Sequence, residues 1–354
     1  MHIANLKSKL TASLVILAGM LTSGCTMVTD DLDPCPAQLR IKFVYDYNIK
    51  WGDAFLHEVP SVNVWAFNSS GALVWNASAT VPADAKDGFY LDTPLPEGDY
   101  DFVAWCGIKD NPDFDLATYT PASKEELEVT MKTVEENGLY KSAVRLTPLF
   151  HADMTDIEYE VNPTAPTQAI VTASLMKDTK DIRVILRNMD GSEIENQDFT
   201  VTVTVPDNSQ YAWNNSLLPS HTVTYEPWDI RYGMTNKPED TDINGGESRS
   251  EGGRAVNSIA TLVFDLSTGR LMENSKAILK IKRNWDNRVV VNINLIEYLL
   301  LIKGHYGDIS DQEYLDRQDD YSIAFFIDPR SDYYTGNIVF INGWAVVPPQ
   351  EEGF

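Results

Sequence analysis

The chain has 354 residues, a formal net charge of -24 at pH 7, and a hydrophobic fraction of 43% that includes 8 Trp, 16 Tyr and 13 Phe. So large a share of apolar and aromatic residues excludes an intrinsically disordered protein. The acidic excess argues against binding to nucleic acid or to anionic lipid headgroups, because like charges repel. The length predicts two domains, since one hydrophobic core rarely serves more than about 250 residues.

The N-terminus has the pattern of a bacterial lipoprotein signal. Two lysines precede an apolar run at 10–21, which is too short for a helical span of about 20 residues. Cys25 follows at the position where a lipoprotein is cleaved and acylated, although Thr22 stands where leucine is favoured. We predict that residues 1–24 are a lipoprotein signal peptide, that Cys25 carries the lipid, and that 25–37 form an acidic tether. An ordinary signal peptide with a coincidental cysteine is the alternative.

Two further cysteines remain once Cys25 is acylated. Cys35 and Cys106 form an even pair, which in an exported protein suggests a disulfide. Such a bond would close a loop of about 70 residues and stabilise the fold by roughly 4 kcal/mol in the chain-entropy model. Two separate buried thiols are the alternative.

Alternation of apolar and polar residues predicts β-strands along most of the chain. The first such segment starts at Leu39 and continues to Tyr47, with the period of two that is typical of a half-buried strand. Short strands with turn signals and few helical stretches favour β-sandwiches. Two prolines within 161–168 suggest a domain boundary. We therefore predict an all-β protein with an N-terminal β-sandwich at 38–162 and a C-terminal β-sandwich at 168–347.

Two features interrupt the strand pattern of the second half. A helical stretch is predicted at about 295–302, followed by a shorter turn at 311–316, which gives the second sandwich one short helical insertion. The stretch 232–254 is rich in Gly, Asp, Glu and Ser, and this composition predicts an exposed loop.

Known catalytic patterns are absent from the sequence. It contains no Gly-x-Ser-x-Gly, no His-Glu-x-x-His, no phosphate-binding glycine loop and no Cys-x-x-Cys. His57, His151, His221 and His305 are scattered, and a lone histidine is more often a surface or satisfied core residue than a catalytic one. We predict that the protein is not an enzyme and needs no cofactor.

One acidic loop matches the spacing of a calcium site. Asp240, Asp242 and Asn244 stand at positions one, three and five, glycine is at position six, and Glu251 is at position twelve. A hard cation favours such oxygen ligands. However, nearby glycines and a proline disfavour the helices that flank a calcium loop of this type, so a solvated acidic loop is the default interpretation.

Specific resemblance appears in the C-terminal third. The segment 311–321, the apolar strand that follows it, and the segment 337–344 together resemble the FimB-like family of minor fimbrial anchor proteins of Bacteroidales. The segments 30–36 and 98–105, and the Asn214 to Leu218 region with Tyr225-Glu-Pro after it, fit in the same order. The resemblance implies two transthyretin-like β-sandwiches, a lipid anchor in the outer membrane, and a place at the base of a fimbria, where the protein holds the stalk and limits its length.

The resemblance also implies how a stalk subunit would bind. Fimbriae of this class resemble strand-exchange polymers, in which one subunit completes the sheet of a neighbour by β-strand addition. Stalk subunits of such systems lose their first strand to an arginine-directed protease. Here the first arginine after Cys25 is Arg40, inside the first predicted strand. Cleavage at Arg40 would separate the fold from its lipid, so an anchor must keep this strand.

Two other functions fit the same sequence. A surface glycan-binding lipoprotein would use exposed aromatic rings such as Trp51, Trp213 or Trp228 as sugar platforms, although such rings more often pack in a core or at its rim. A tip or accessory subunit of the same fimbria, acting as an adhesin, is the second alternative.

Overall fold

The computed structural model describes residues 38–161, 168–189, 192, 194, 198–236, 258–327 and 339–346. Cys25, Cys35 and the acidic loop at 240–251 lie outside the described residues. Strands make up most of the described elements, which confirms the predicted all-β class of two β-sandwiches.

The first sandwich packs a three-stranded sheet against a five-stranded sheet. The three-stranded sheet has the order β11 (Ala169–Ser174), β1 (Leu39–Val44) and β4 (Phe89–Asp92). The five-stranded sheet has the order β12 (Met176–Lys177), β10 (Phe150–Tyr159), β5 (Gly98–Cys106), β2 (Ser61–Asn68) and β3 (Leu73–Thr80). The alternation in β1 places Leu39, Ile41 and Phe43 in the core between the two sheets.

The second sandwich consists of two six-stranded sheets. One sheet has the order β17 (Asp229–Asn236), β18 (Ser258–Thr268), β13 (Lys180–Asn188), β21 (Asp320–Ile327), β22 (Val339–Ile341) and β23 (Trp344–Val346). The other has the order β20 (Val289–Asn294), β19 (Ile278–Arg283), β14 (Phe199–Val205), β16 (Val223–Tyr225), β9 (Leu139–Ser142) and β8 (Val134–Glu136). A small sheet of β15 (Gln210–Tyr211), β7 (Val129–Met131) and β6 (Phe114–Leu116) completes the strands.

Short helices connect some of these strands. They are α1 (Phe55–Glu58), α2 (Leu295–Leu300) and α3 (Asp311–Arg317), together with 3₁₀ turns at Lys124–Glu126 and Lys303–Tyr306. The Asn294 side chain accepts a hydrogen bond from the Ile296 amide at the start of α2, and Ser310 Oγ accepts one from the Glu313 amide at the start of α3. The helical insertion predicted near 295–302 is present, and the turn predicted at 311–316 is a second helix.

The strand pairings do not follow the boundary predicted at 161–168. The strand β11 comes after that boundary in the sequence, yet it pairs in parallel with β1 of the first sandwich, and β12 pairs with β10. Conversely, β9 comes before the boundary and pairs with β16 of the second sandwich. The physical reason is that prolines and small polar residues mark any chain reversal, whereas the sheet that the next strand joins depends on tertiary packing.

The described part of the stretch 232–254, which was predicted as a loop, is a strand instead, and residues 237–254 lie outside the described residues. Residues 229–236 form β17, which pairs antiparallel with β18. Sequence composition indicated a solvated stretch there, but a strand at the edge of a sheet needs only one paired side and can be polar.

The two sandwiches share an apolar interface. The outward face of the five-stranded sheet carries Trp65, Val103 and Trp105, which belong to the same continuous core cluster as the interior of the second sandwich. For this reason β2 is buried along nearly its whole length rather than on alternate residues. The interface fixes one sandwich on the other without relying on a linker.

Candidate functional site

The first strand is the part of the fold that carries the predicted anchor. β1 is the central strand of its sheet, parallel to β11 on one side and antiparallel to β4 on the other. Both neighbours of Arg40 in the sequence are buried, with Leu39 1% and Ile41 0% exposed. The backbone around Arg40 is therefore hydrogen-bonded to two strands, and a protease, which needs an extended and free segment, cannot reach it without unfolding this sheet.

The Arg40 side chain is also held in place. It forms an ion pair with Asp92, its cross-strand neighbour on β4. Its Nη1 atom donates to Gln168 Oε1 over 3.2 Å, and the guanidinium lies 5.1 Å from the centre of the Tyr90 ring. These contacts join β1 to strands on both sides, so the residue that would direct cleavage instead helps to hold the strand.

A buried polar cluster lies at the junction of the sandwiches, where β12 leads into β13. Asn215 Nδ2 donates to Asp178 Oδ1 over 2.6 Å, and Lys180 Nζ donates to the Asp316 carbonyl over 2.8 Å. Arg270 binds the Asp316 carboxylate through Nε and Nη2, each over 2.8 Å. Burial raises the pKa of Asp178 to about 7 and lowers the pKa of Lys180 to about 8. The cluster ties β13, α3 and the 214–216 turn together.

A second ionic contact reinforces the same junction. Lys177 Nζ lies 2.9 Å from Glu58 Oε2 on α1 and 3.0 Å from Asp319 Oδ2, just before β21. The charge of the two carboxylates outweighs burial and raises the pKa of Lys177, so the lysine is charged. The sequence indicates neither the polar cluster nor the ion pairs of Lys177. Residues 177–180 have the composition of an exposed turn, and nothing in their spacing indicates burial.

The predicted cysteine and calcium sites stay predictions. Cys106 ends β5 with a fully buried thiol, and burial raises the pKa of that thiol. Its proposed partner Cys35 lies outside the described residues, as do the calcium ligands proposed at 240–251. Within the described part of the chain, no group of three or more His, Cys, Asp or Glu side chains is placed to hold a metal ion.

The four histidines within the described residues lie in separate environments. His57 is exposed on α1, and His221 stacks on Tyr140 with 3.7 Å between ring centres. His305 stacks on Trp344 at 3.8 Å. His151 is buried at the interface between the sandwiches, where its Nε2 lies 2.8 Å from the Trp213 carbonyl. His151, His221 and His305 therefore each contact a different partner.

The three tryptophans proposed as sugar platforms lie on different connections. Trp51 is 58% exposed in the loop after β1, and its ring stacks on the Arg317 guanidinium at 4.2 Å. Trp213 packs against the shared core and has the Lys124 ammonium 4.3 Å from its ring centre. Trp228 is half-buried, with Arg145 at 5.4 Å. Each ring stacks on a different cation, so the rings do not make up one shared platform.

The fold is thus a pair of β-sandwiches whose first strand is paired on both sides. The family of fimbrillin-A associated anchor proteins Mfa1 and Mfa2 matches residues 32–347. The chain therefore belongs to that fimbrial anchor family, which confirms the predicted resemblance. This is a family of structural anchor proteins associated with cell-surface fimbriae, not one of enzymes.

Solved structures share this fold. A proposed adhesin from Bacteroides thetaiotaomicron is 25% identical, with a TM-score of 0.74 over 90% of this chain and 100% of that chain. A proposed polysaccharide-binding protein from the same organism is 26% identical, with a TM-score of 0.70 over 89% and 99%. The fimbrial anchor protein Mfa2 from Porphyromonas gingivalis shares the fold, at 16% identity and a TM-score of 0.61 over 89% and 100%. No curated protein matches the sequence.

None of the described helices is both long and apolar enough to cross a bilayer.

Proposed function

We propose that this protein is a lipid-anchored subunit that holds a fimbrial stalk at the outer membrane. The observation that carries the proposal is the position of Arg40 in the centre of a sheet, paired on both sides. Cleavage after Arg40 therefore does not remove the strand that connects the fold to Cys25. A pull on the lipid end acts on β1, whose hydrogen bonds to β11 and β4 resist it.

The stalk partner binds by β-strand addition. Main-chain hydrogen bonds at a free sheet edge supply the affinity, and alternate side chains supply the specificity. Because β1 stays in its sheet, no groove is vacated there for a further subunit. A subunit of this kind ends a series of strand exchanges, and this is how it limits the length of the stalk.

Attachment through Cys25 can be tested directly. We expect the Cys25→Ala chain, exported behind a signal peptide that is cleaved without acylation, to fold normally but to appear in the medium together with its fimbriae. Two or three acyl chains on one cysteine hold a protein far more firmly than one, and this variant has none. Fractionation and immunoblotting give the measurement, and Cys35→Ala is the matched control that should remain in the membrane.

The anchor role itself is tested by deletion of the gene. We expect fimbriae that are shed or of abnormal length, built from stalk subunits that still fold. Attached fimbriae of normal length in the deletion strain would contradict the anchor role and favour the glycan-binding or tip-subunit alternatives.

A further inference from the structure

We infer that the stalk subunit pairs with the free edge of β3 in the first sandwich, as an extended segment with alternating apolar residues. This inference rests on the proposed function and adds the place and the chemistry of the contact. β3 is the last strand of the five-stranded sheet and is paired only with β2.

The edge of β3 lacks the features that usually block pairing with another chain. Free edges are commonly protected by charges, prolines, bulges or short length. β3 has eight residues, Leu-Val-Trp-Asn-Ala-Ser-Ala-Thr, with no charge and no proline. Its only irregularity is at the start, where the register with β2 shifts before Trp75. The six residues from Trp75 to Thr80 therefore present a regular open edge.

Most other edges of the described sheets are charged or shorter than β3. β17 carries Asp229 and Arg231, β8 carries Glu135 and Glu136, and β4 has four residues, one of which is Asp92. β12 has two residues and β23 has three. β20 is uncharged, but its register with β19 shifts between Val289 and Val291, so its regular edge has four residues against six in β3. β11 is uncharged and has six residues, and it packs beside β10 of the facing sheet.

The hydrogen-bond pattern identifies which β3 residues offer free backbone groups. The Val81 amide donates to the Pro60 carbonyl over 2.9 Å, so the Pro60 and Val81 positions form a hydrogen-bonded pair. In an antiparallel ladder such pairs alternate with pairs that have no bonds. The Ser61 carbonyl accordingly faces the other way and accepts from the Gly107 amide over 2.8 Å. It follows that the backbone groups of Asn76, Ser78 and Thr80 point away from β2, toward the open side.

The core next to this edge is incompletely covered. Trp75, Ala77 and Ala79 point toward the core of the first sandwich but are only half-buried, whereas their neighbours on β2 are fully buried. On the facing sheet, Phe89 and Leu91 of β4 are half-buried as well. One more strand beside β3 would place alternate side chains over these five residues. Burial of apolar surface would then add to the hydrogen bonds of the new pairing.

The chemistry of the site selects an extended segment of another protein. A second copy of this chain would bring together two molecules with a formal charge of -24 each, and this repulsion disfavours a symmetric pair. The chain's own tether at 25–37 carries three aspartates and two prolines, and proline cannot donate to a sheet. A segment of the stalk subunit with uncharged, alternating apolar residues meets the requirements.

A proline substitution on the open side tests this inference. Ser78→Pro removes one outward amide and leaves the bonds to β2 intact, so we expect binding of the purified stalk subunit to the full mature chain to weaken at least tenfold. The matched control Ser78→Ala keeps the amide and should bind within twofold of the natural chain. Thermal unfolding of both variants shows whether the sandwich is intact.

Photo-cross-linking provides a second measurement that does not depend on the stability of a variant. A photoreactive phenylalanine analogue at Asn76 should cross-link to the stalk subunit, whereas the same analogue at Val134 on β8 should not. Cross-links to a second copy of this chain, or stalk binding that Ser78→Pro leaves unchanged, would overturn the β3 assignment while the anchor function stands. Failure of the natural chain to bind the stalk subunit at all would instead contradict the proposed function.

Discussion

His151 illustrates how a titratable residue can serve only to join two domains. Its ring lies 4.6 Å from the ring centre of Trp105, and both residues are on the outward face of the five-stranded sheet. With Nε2 protonated, the imidazole donates to the Trp213 carbonyl of the second sandwich. Burial lowers the pKa of His151 to about 3, because a charged ring would lose its hydration. The ring must therefore be neutral in the folded protein.

A specific pH dependence of stability follows from this residue. The pKa of His151 is lower in the folded state than in the unfolded state, so its contribution is complete above about pH 6.5 and is lost as the pH falls toward about 3. We expect the free energy of unfolding to fall by up to about 1.4 kcal/mol per pH unit from this group alone. Urea unfolding of His151→Gln should show a smaller slope between about pH 6 and pH 4. Equal slopes in the two chains would contradict the assignment.

The sequence pattern indicates some of the important residues and not others. The sequence indicates Arg40 as a decisive position, because it is the first arginine after Cys25 and stands within a clear alternating pattern. It does not indicate Asp178 or Lys180, because charged residues are almost never buried without partners. Those partners, Asn215 for Asp178 and Asp316 for Lys180, are far away in the sequence. Only the packing of β13 against α3 brings these charges together.

At the scale of single elements, β1 determines whether the fold stays connected to Cys25, where we predict the lipid. Its side chains Leu39, Ile41 and Phe43 are all in the core, and its backbone is paired on both sides. Removal of β1 would expose this apolar surface and break two ladders of hydrogen bonds. Cleavage requires β1 to open first. The free energy of that opening approaches the free energy of unfolding of the whole sandwich.

We expect an arginine-specific protease to leave the bond after Arg40 intact in the folded mature chain. Arg145 is the internal comparison, because it lies on the connection between β9 and β10 with its side chain 63% exposed. Mass spectrometry of the digest should show cleavage after Arg145 well before cleavage after Arg40. In urea, both bonds should be cut at similar rates. Selective cleavage after Arg40 in the folded protein would mean that β1 is a removable strand and that the chain is processed like a stalk subunit.

Across the whole molecule, the sequence predicted the elements better than their partners. Alternation identified β1 because a period of two depends only on which face is buried. It could not show that β11 returns to pair with β1, or that β9 joins the second sandwich, because pairing between distant strands depends on the overall packing. Each sandwich is thus completed by a segment from the other side of the boundary predicted at 161–168.

Because each sandwich contains strands from both sides of residues 161–168, we expect that a cut there does not give two fragments that fold independently. A fragment of residues 38–162 lacks β11 and β12, so β1 has lost its parallel partner and β10 has lost an edge strand. We expect this fragment to show no cooperative thermal unfolding by far-UV circular dichroism, while the mature chain unfolds in one transition because the core cluster is continuous across the interface. A matched fragment of residues 38–178 restores both strands and should regain β-sheet signal, although it leaves the outward face of Trp65 and Trp105 uncovered and should therefore associate. A cooperative transition in the shorter fragment would show that the first sandwich is complete without β11.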